Sequence, residues 1–393
     1  SHVRFVCQLL ANLPAPPILA RRAESTTPFA QCRGTAVNSR ERTFLALEHR
    51  LGDRIPIDFW ATPTATRLLE EHLGQSREEF LDEYDVDLRY IDGPSYIGPE
   101  LAPGEDIWGV SRAVVKAGPD GRSESYSEAS VAPLEGAQSP ADVAAYAHWP
   151  EPDMFDYDVI EEQCDAVLEG ERIVVFMGDR LNRFAQLKPA MYLRGTENIL
   201  LDLAINQDIA ESIFRKIREF YLGYLERILA AAKGKIDIIL TGDDFGAQNG
   251  LLLSADMWRG FLKPGFADYI GLIKRNGVKA MHHTCGSVVD IIPDMIECGL
   301  DILQSIQPEA SGMSLANLME QFGQDICFQG GVSIQKTMPY GSQDDIRHEI
   351  QSLADIAKQN GGYIFGTSHN IQADTPVESI LTLMESYLEY GRI

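Results

Sequence analysis

Short apolar runs alternate with helical stretches along most of this chain, and that rhythm restricts the fold more than any other feature. Eight runs read as strands: 54–60, 86–93, 172–178, 236–242, 278–286, 301–306, 326–332 and 362–369. Apolar spacing between them predicts helices over 39–51, 64–73, 156–169, 207–233, 256–275, 287–298, 314–322, 343–359 and 376–390, with another helical stretch through Tyr192. Apolar strands that alternate with helices imply a parallel sheet covered on both faces. Eight such units suit an α/β fold of the (β/α)8 TIM-barrel type, built as one domain over 39–393. An open doubly wound sheet is the competing arrangement. It would normally carry a GxGxxG turn after its first strand, and the sequence has none.

Two regions break the rhythm. Residues 1–38 form an irregular N-terminal extension interrupted by Pro14, Pro16 and Pro17. Ser39 is then expected to cap the first helix, with Glu41 early in it where the helix dipole favours negative charge. Residues 94–150 are rich in proline and glycine and read as a long insertion after the second strand. Within it, Val110–Lys116 and Ser123–Ala129 predict a hairpin across Gly118-Pro-Asp-Gly121. Long insertions in compact domains tend to serve a site, so this one is expected to cover the barrel mouth.

Charge and cysteine content narrow the class. There are 34 Lys+Arg against 58 Asp+Glu, a net charge of −24. Such a polyanion should repel nucleic acid and anionic membranes. No apolar run reaches the ~20 residues that span a bilayer. Cys7, Cys32, Cys164, Cys285, Cys298 and Cys327 are scattered and make no disulfide framework, which points to a reducing cytoplasm.

In a barrel of this type the functional groups lie at the carboxyl ends of the strands. Those ends carry a polar set: Asp58; Asp243 and Asp244 with Gln248; His283 and Cys285; Gln304; Gln329; and His369 with Asn370. His283 and Cys285 are two residues apart, so on an extended chain both point to one side. Imidazole and thiolate suit a borderline-soft metal such as zinc. His369 is the natural third ligand, and three protein ligands with one open position is the pattern of a catalytic zinc site. His282 should point the other way and pack against a helix, and of the two aspartates Asp244 is expected to face inward. Asp244, Gln248 and Asp58 are the catalytic candidates, and Trp60, Gln304, Gln329 and Asn370 the substrate-binding ones.

Three stretches resemble the uroporphyrinogen decarboxylase superfamily: His283-Thr-Cys-Gly286, Met191-Tyr-Leu-Arg-Gly-Thr-Glu-Asn198 and Asp374-Thr-Pro376. The resemblance runs from about Ser39 to the end. It is strongest to the branch of corrinoid-dependent methyltransferases, such as the enzymes that methylate coenzyme M. True uroporphyrinogen decarboxylases carry an Arg-Gln-Ala-Gly-Arg motif near the N-terminus. Here the matching region is Asp58-Phe-Trp-Ala-Thr-Pro63, without arginines, which disfavours that substrate. The methyltransferase branch binds zinc through His-x-Cys and a later Cys shortly before Asp-Thr-Pro. His283 and Cys285 match, and His369 stands near the third position. Histidine for cysteine leaves the site less negative by one charge, so a bound metal would be a stronger Lewis acid.

The resemblance implies zinc, a small-molecule substrate and a corrinoid carried on a partner protein; no cobalamin-binding Asp-x-His-x-x-Gly stretch is fused here, so the sequence itself does not show that partner. A homodimer is the default assembly. Two other functions compete. A metal-free decarboxylase or lyase of the same fold would need cations near the mouth, for which Arg180, Arg183, Lys188 and Arg194 are the candidates. A non-enzymatic tetrapyrrole binder would carry coloured cofactor without turnover.

Overall fold

The computed structural model describes residues 37–117, 124–177 and 184–393. Seven strands form one parallel sheet in chain order: Leu88–Ile91, Ile173–Phe176, Ile238–Gly242, Lys279–His283, Ile302–Ile306, Cys327–Gly330 and Tyr363–Ile364. The sheet curls, and helices cover its outer face, as in a TIM-type α/β barrel.

The first expected strand, 54–60, is not a regular strand. Isolated bridges hold it instead, among them Ile57 with Phe365 and Ala61 with Ile371. On one side Asp58 N donates to Phe365 O at 2.9 Å, and Phe365 N to Pro56 O at 2.7 Å. On the other, Asp87 N donates to Ile57 O at 3.0 Å. The segment therefore fills the gap between the sheet's two edges. Pro56 has no N–H to give to a ladder, which is one physical reason that regular pairing fails here.

Strand alternation builds the interior. Leu88, Ile173, Ile238, Met281, Ile302, Cys327 and Ile364 form a buried apolar cluster separate from the residues under the helices. Phe44 and Leu47 of helix Ser39–Leu47 pack against that cluster. The cap of this helix is Asn38, not Ser39. Asn38 Oδ1 accepts from Glu41 N at 2.8 Å, and the Glu41 carboxylate accepts from Asn38 N at 3.2 Å, a complete capping box. Ser39 is the first helical residue, and its hydroxyl accepts from Arg172 Nη1.

The predicted stretch through Tyr192 resolves into helices Leu187–Arg194 and Thr196–Ile205, separated at Gly195. The insertion contains the expected hairpin, with Ser111–Ala117 antiparallel to Glu124–Val131; its turn lies outside the described residues. Elsewhere the insertion is anchored by buried Trp108, whose ring meets Phe220 and Tyr221 of helix Gln207–Ala232. Among the described residues, no helix is long and apolar enough to cross a membrane.

Candidate metal centre

Strand Lys279–His283 delivers the first group. Met281 and His283 face the barrel interior, while His282 faces out. His282 stacks on Phe245, meets Phe266 edge-on, and binds Thr241 Oγ1 through Nδ1 at 2.7 Å. Burial pushes its pKa down to about 3, so it stays neutral. His283 lies level with Gln304 on the next strand, and its Nδ1 sits 2.6 Å from Gln304 Oε1. With Nδ1 donating to that oxygen, Nε2 keeps its lone pair for a ligand-binding role.

After His283 the chain turns sharply. Gly286 has φ +78°, and a Cβ there would lie 2.5 Å from the backbone of Gly246. That close approach brings turn 246–250 against Cys285 and Gly286. Thr284 Oγ1 accepts from Phe245 N at 3.0 Å, and Asp244 Oδ1 from Cys285 N at 3.2 Å. These bonds fix the Cys285 backbone, and its Sγ stands 3.6 Å from His283 Nε2.

His369 arrives differently. The strand expected over 362–369 ends at Ile364, and His369 lies on the loop beyond it. That loop is tied to segment 60–62 by Thr62 N donating to Ile371 O and Ile371 N to Trp60 O. The Trp60 ring stacks on His369 at 5.3 Å and meets His283 edge-on at 5.5 Å. His369 Nδ1 is hydrogen-bonded to Asn370 Oδ1. Each of these two histidines thus has Nδ1 engaged by a side-chain amide oxygen.

One donor atom each from His283, Cys285 and His369 lies within 4.8 Å of the others. Donors about 2.0 and 2.3 Å from a tetrahedral zinc stand about 3.5 Å apart. The 3.6 Å between His283 Nε2 and Cys285 Sγ matches that spacing. The donor chemistry and the occupied Nδ1 positions therefore fit a zinc ion. Burial, with the nearby Asp244, pushes the Cys285 thiol up to about 12, so the thiol is neutral by itself. A divalent cation would reverse that preference.

Asp243 and Asp244 divide their roles. Asp243 accepts from the backbone N–H groups of Gln186, Leu187 and Lys188 at 2.8, 2.6 and 2.8 Å, which caps helix Leu187–Arg194. Lys188, on the first turn of that helix, reaches Asp244 Oδ2 at 3.0 Å. Burial would raise the Asp244 pKa, while charge on His283, when that ring is protonated, and Lys188 act to lower it. Asp244 Oδ1 lies 3.9 Å from His283 Nε2.

A cavity of about 570 Å³ opens over these groups. Trp60, Trp108, Tyr126, Tyr192 and Tyr221 supply aromatic walls, with Lys188 among them. Tyr126 comes from the insertion hairpin, and its hydroxyl donates to Gln372 Oε1 at 2.5 Å beside His369.

His283, His369, Asp244, Trp60 and Asn370 line the cavity; Cys285 adjoins His283. Asp58, Gln304 and Gln329 do not line it: they are buried, and Asp58 is held by Tyr90 and Gln329. Gln248 sits exposed on turn 246–250 and is also outside the cavity lining, because the hairpin Gly246–Leu251 carries it away. Trp108, Tyr126 and Tyr192 were not anticipated as cavity residues from sequence. Trp108 and Tyr126 belong to the insertion, whose docking depends on contacts remote in sequence.

Residues 185–390, just over half of the chain, match the family described as uroporphyrinogen decarboxylase (URO-D). The chain belongs to the URO-D family. A relative from Roseiflexus sp. (strain RS-1), described as uroporphyrinogen decarboxylase, is 27% identical over 147 residues. That match covers 35% of this chain and 41% of the relative, so it spans less than half of that protein. Among solved structures, a methyltransferase from Methanosarcina mazei aligns with a TM-score of 0.62 at 19% identity. The alignment covers 90% of this chain and 99% of that one, a likeness of fold.

Proposed function

We infer that this URO-D family member is a zinc-dependent methyltransferase. It would move a methyl group between a corrinoid on a partner protein and a small thiol, folate or hydroxyl-bearing acceptor. The observation that carries this reading is the convergence of His283, Cys285 and His369 beneath an aromatic-walled cavity. Three protein donors leave a fourth position for the acceptor. Zinc held by these residues supplies Lewis acidity, which lowers the pKa of a thiol or hydroxyl presented to it.

The chain's own residues do the rest. Gln304 and Asn370 keep the two imidazoles turned with Nδ1 away from the centre. Asp244, paired with Lys188, orients and balances charge. Trp60 braces both histidine rings. The aromatic walls limit water around the acceptor, and the hairpin, pinned through Tyr126, forms one side of the entrance.

A metal-free decarboxylase mechanism needs clustered cations for an acidic substrate. Among the described residues lining the cavity, Lys188 is the basic side chain, and it pairs with Asp244. Arg194 is buried against Asp202 and the carbonyls of Leu134 and Glu135; Arg180 and Arg183 lie outside the described residues.

The test uses methylcobalamin as methyl donor with a panel of thiol and hydroxyl acceptors, followed by the cobalamin spectrum. Demethylation is expected with the native protein, loss after chelation, and recovery on adding zinc. Turnover that is indifferent to chelation would contradict the proposal.

A further inference from the structure

Across the barrel interior runs one level of polar side chains. His283, Gln304 and Gln329 are successive Cα partners on three neighbouring strands. All three are buried, at 3%, 1% and 3% exposure, so solvent cannot satisfy them. Asp58, 4% exposed, completes the row from segment 54–62. Its Oδ2 accepts from Tyr90 Oη at 2.7 Å and from Gln329 Nε2 at 3.1 Å. At the other end Gln304 Oε1 accepts from His283 Nδ1 at 2.6 Å. Between the two ends, Gln304 Nε2 and Gln329 Oε1 are buried without a hydrogen-bond partner among the described residues.

A primary amide has a donor end and an acceptor end, so it transmits polarity. Asp58 only accepts when ionised. It therefore draws the NH2 end of Gln329 and turns the Gln329 oxygen away. That oxygen needs a donor, and Gln304 Nε2 on the adjacent strand needs an acceptor. A small amide rotation or one bridging water would join them. With its NH2 end directed to Gln329, Gln304 presents oxygen to His283 Nδ1. If Gln304 were reversed, its NH2 would face Nδ1, the proton would move to Nε2, and Nε2 would lose the lone pair that ligation requires.

We propose that Asp58 is a positioning residue: through Gln329 and Gln304 it fixes His283 in the Nδ1–H tautomer, so that Nε2 is ready to bind metal. The proposal extends the zinc reading, but its first readout does not depend on that reading. The two amides give the row direction, and Tyr90 holds the Asp58 end in place. Gln304 acts by direct contact, Gln329 and Asp58 at successively greater distance.

The experiment records imidazole 15N shifts of His283 in the metal-stripped full-length protein, then zinc affinity by competition with a chromophoric chelator. Wild type should show a protonated Nδ1 and an unprotonated Nε2. Asp58→Leu, which removes the acceptor that holds Gln329 Nε2 and frees the row to reverse, should move His283 toward the Nε2–H form. It should also weaken zinc binding by roughly tenfold or more. Gln329→Met breaks the same link and serves if Asp58→Leu fails to fold. Folded variants that keep the wild-type tautomer would overturn the proposal. A tautomer that follows Asp58 in a protein with no zinc affinity would uphold the relay and reject the zinc reading instead.

Discussion

Asp58 carries a cost along with its position. Burial pushes its pKa up to about 6, against the opposing hydrogen bond from Tyr90. The folded state thus holds this proton more tightly than the unfolded chain, whose carboxylate titrates near 3.8. Stability from this group is full below the unfolded value and falls as pH rises to about 6, by about 3 kcal/mol in all. Asp58→Asn removes that titration. Urea denaturation of both proteins should therefore show the variant gaining on wild type between pH 4 and pH 7, by up to about 3 kcal/mol. A stability difference that is flat with pH would contradict this. The sequence marked Asp58 as a polar strand end and a catalytic candidate. It could not show that the carboxylate lies beneath the cavity, because that depends on how segment 54–62 closes the ring. Spacing paired His283 with Cys285 in the sequence, but Cys285 lies past the strand end and is placed by loop contacts, with its Sγ 3.6 Å from His283 Nε2.

At the scale of elements, the centre depends on where loops touch. Gly286 and Gly246 lie backbone to backbone, and no side chain fits between them. Gly286→Ala would also force a Cβ onto a residue at φ +78°, costing on the order of 1–2 kcal/mol from conformation alone. The expected outcome is a lower melting temperature together with weakened metal binding, because turn 246–250 must retreat and the Asp244 bond to Cys285 N is lost with it. A variant with a lower melting temperature and unaltered metal affinity would show that this contact serves folding alone. The regular helices and strands were mostly legible from periodicity, since an apolar stripe or run states its own partner. The loops were not. His369 reads as the end of a strand, but the regular strand stops at Ile364, isolated bridges at Phe365, Thr367 and Ile371 continue the pairing, and the loop is placed by Trp60 and Ile371. The hairpin was readable as a hairpin, whereas its seat over the cavity rests on Tyr126 reaching Gln372, 246 positions away in the chain.

For the whole molecule, closure of the barrel gathers on one buried carboxylate. Asp87 is fully buried and accepts from Arg42 Nη1 at 2.5 Å, Arg54 Nη1 at 2.8 Å and Ile57 N at 2.8 Å. Those donors come from helix Ser39–Leu47 and the irregular first segment, while Arg54 also contacts Tyr387 of the last helix. Asp87→Ala takes the buried carboxylate from Arg42 and Arg54, which keep only the more exposed Asp53 and Asp85, and removal of one member of a buried ion pair costs about 3–5 kcal/mol. Calorimetry should find a loss of that size; a loss below about 1 kcal/mol would mean that the ring closes by apolar packing alone. The sequence showed eight alternating units and hence a barrel, but nothing in it linked Arg42, Arg54 and Asp87, whose pairing exists only once the ring is closed.

His283, Cys285 and His369 are proposed to hold one zinc ion. Elemental analysis of purified wild type, Cys285→Ser and His369→Ala tests it most directly. The predicted result is about one zinc per chain in wild type and a large loss in both variants, with folding retained by circular dichroism. A folded wild type without stoichiometric divalent metal, or variants with unchanged zinc, would contradict it.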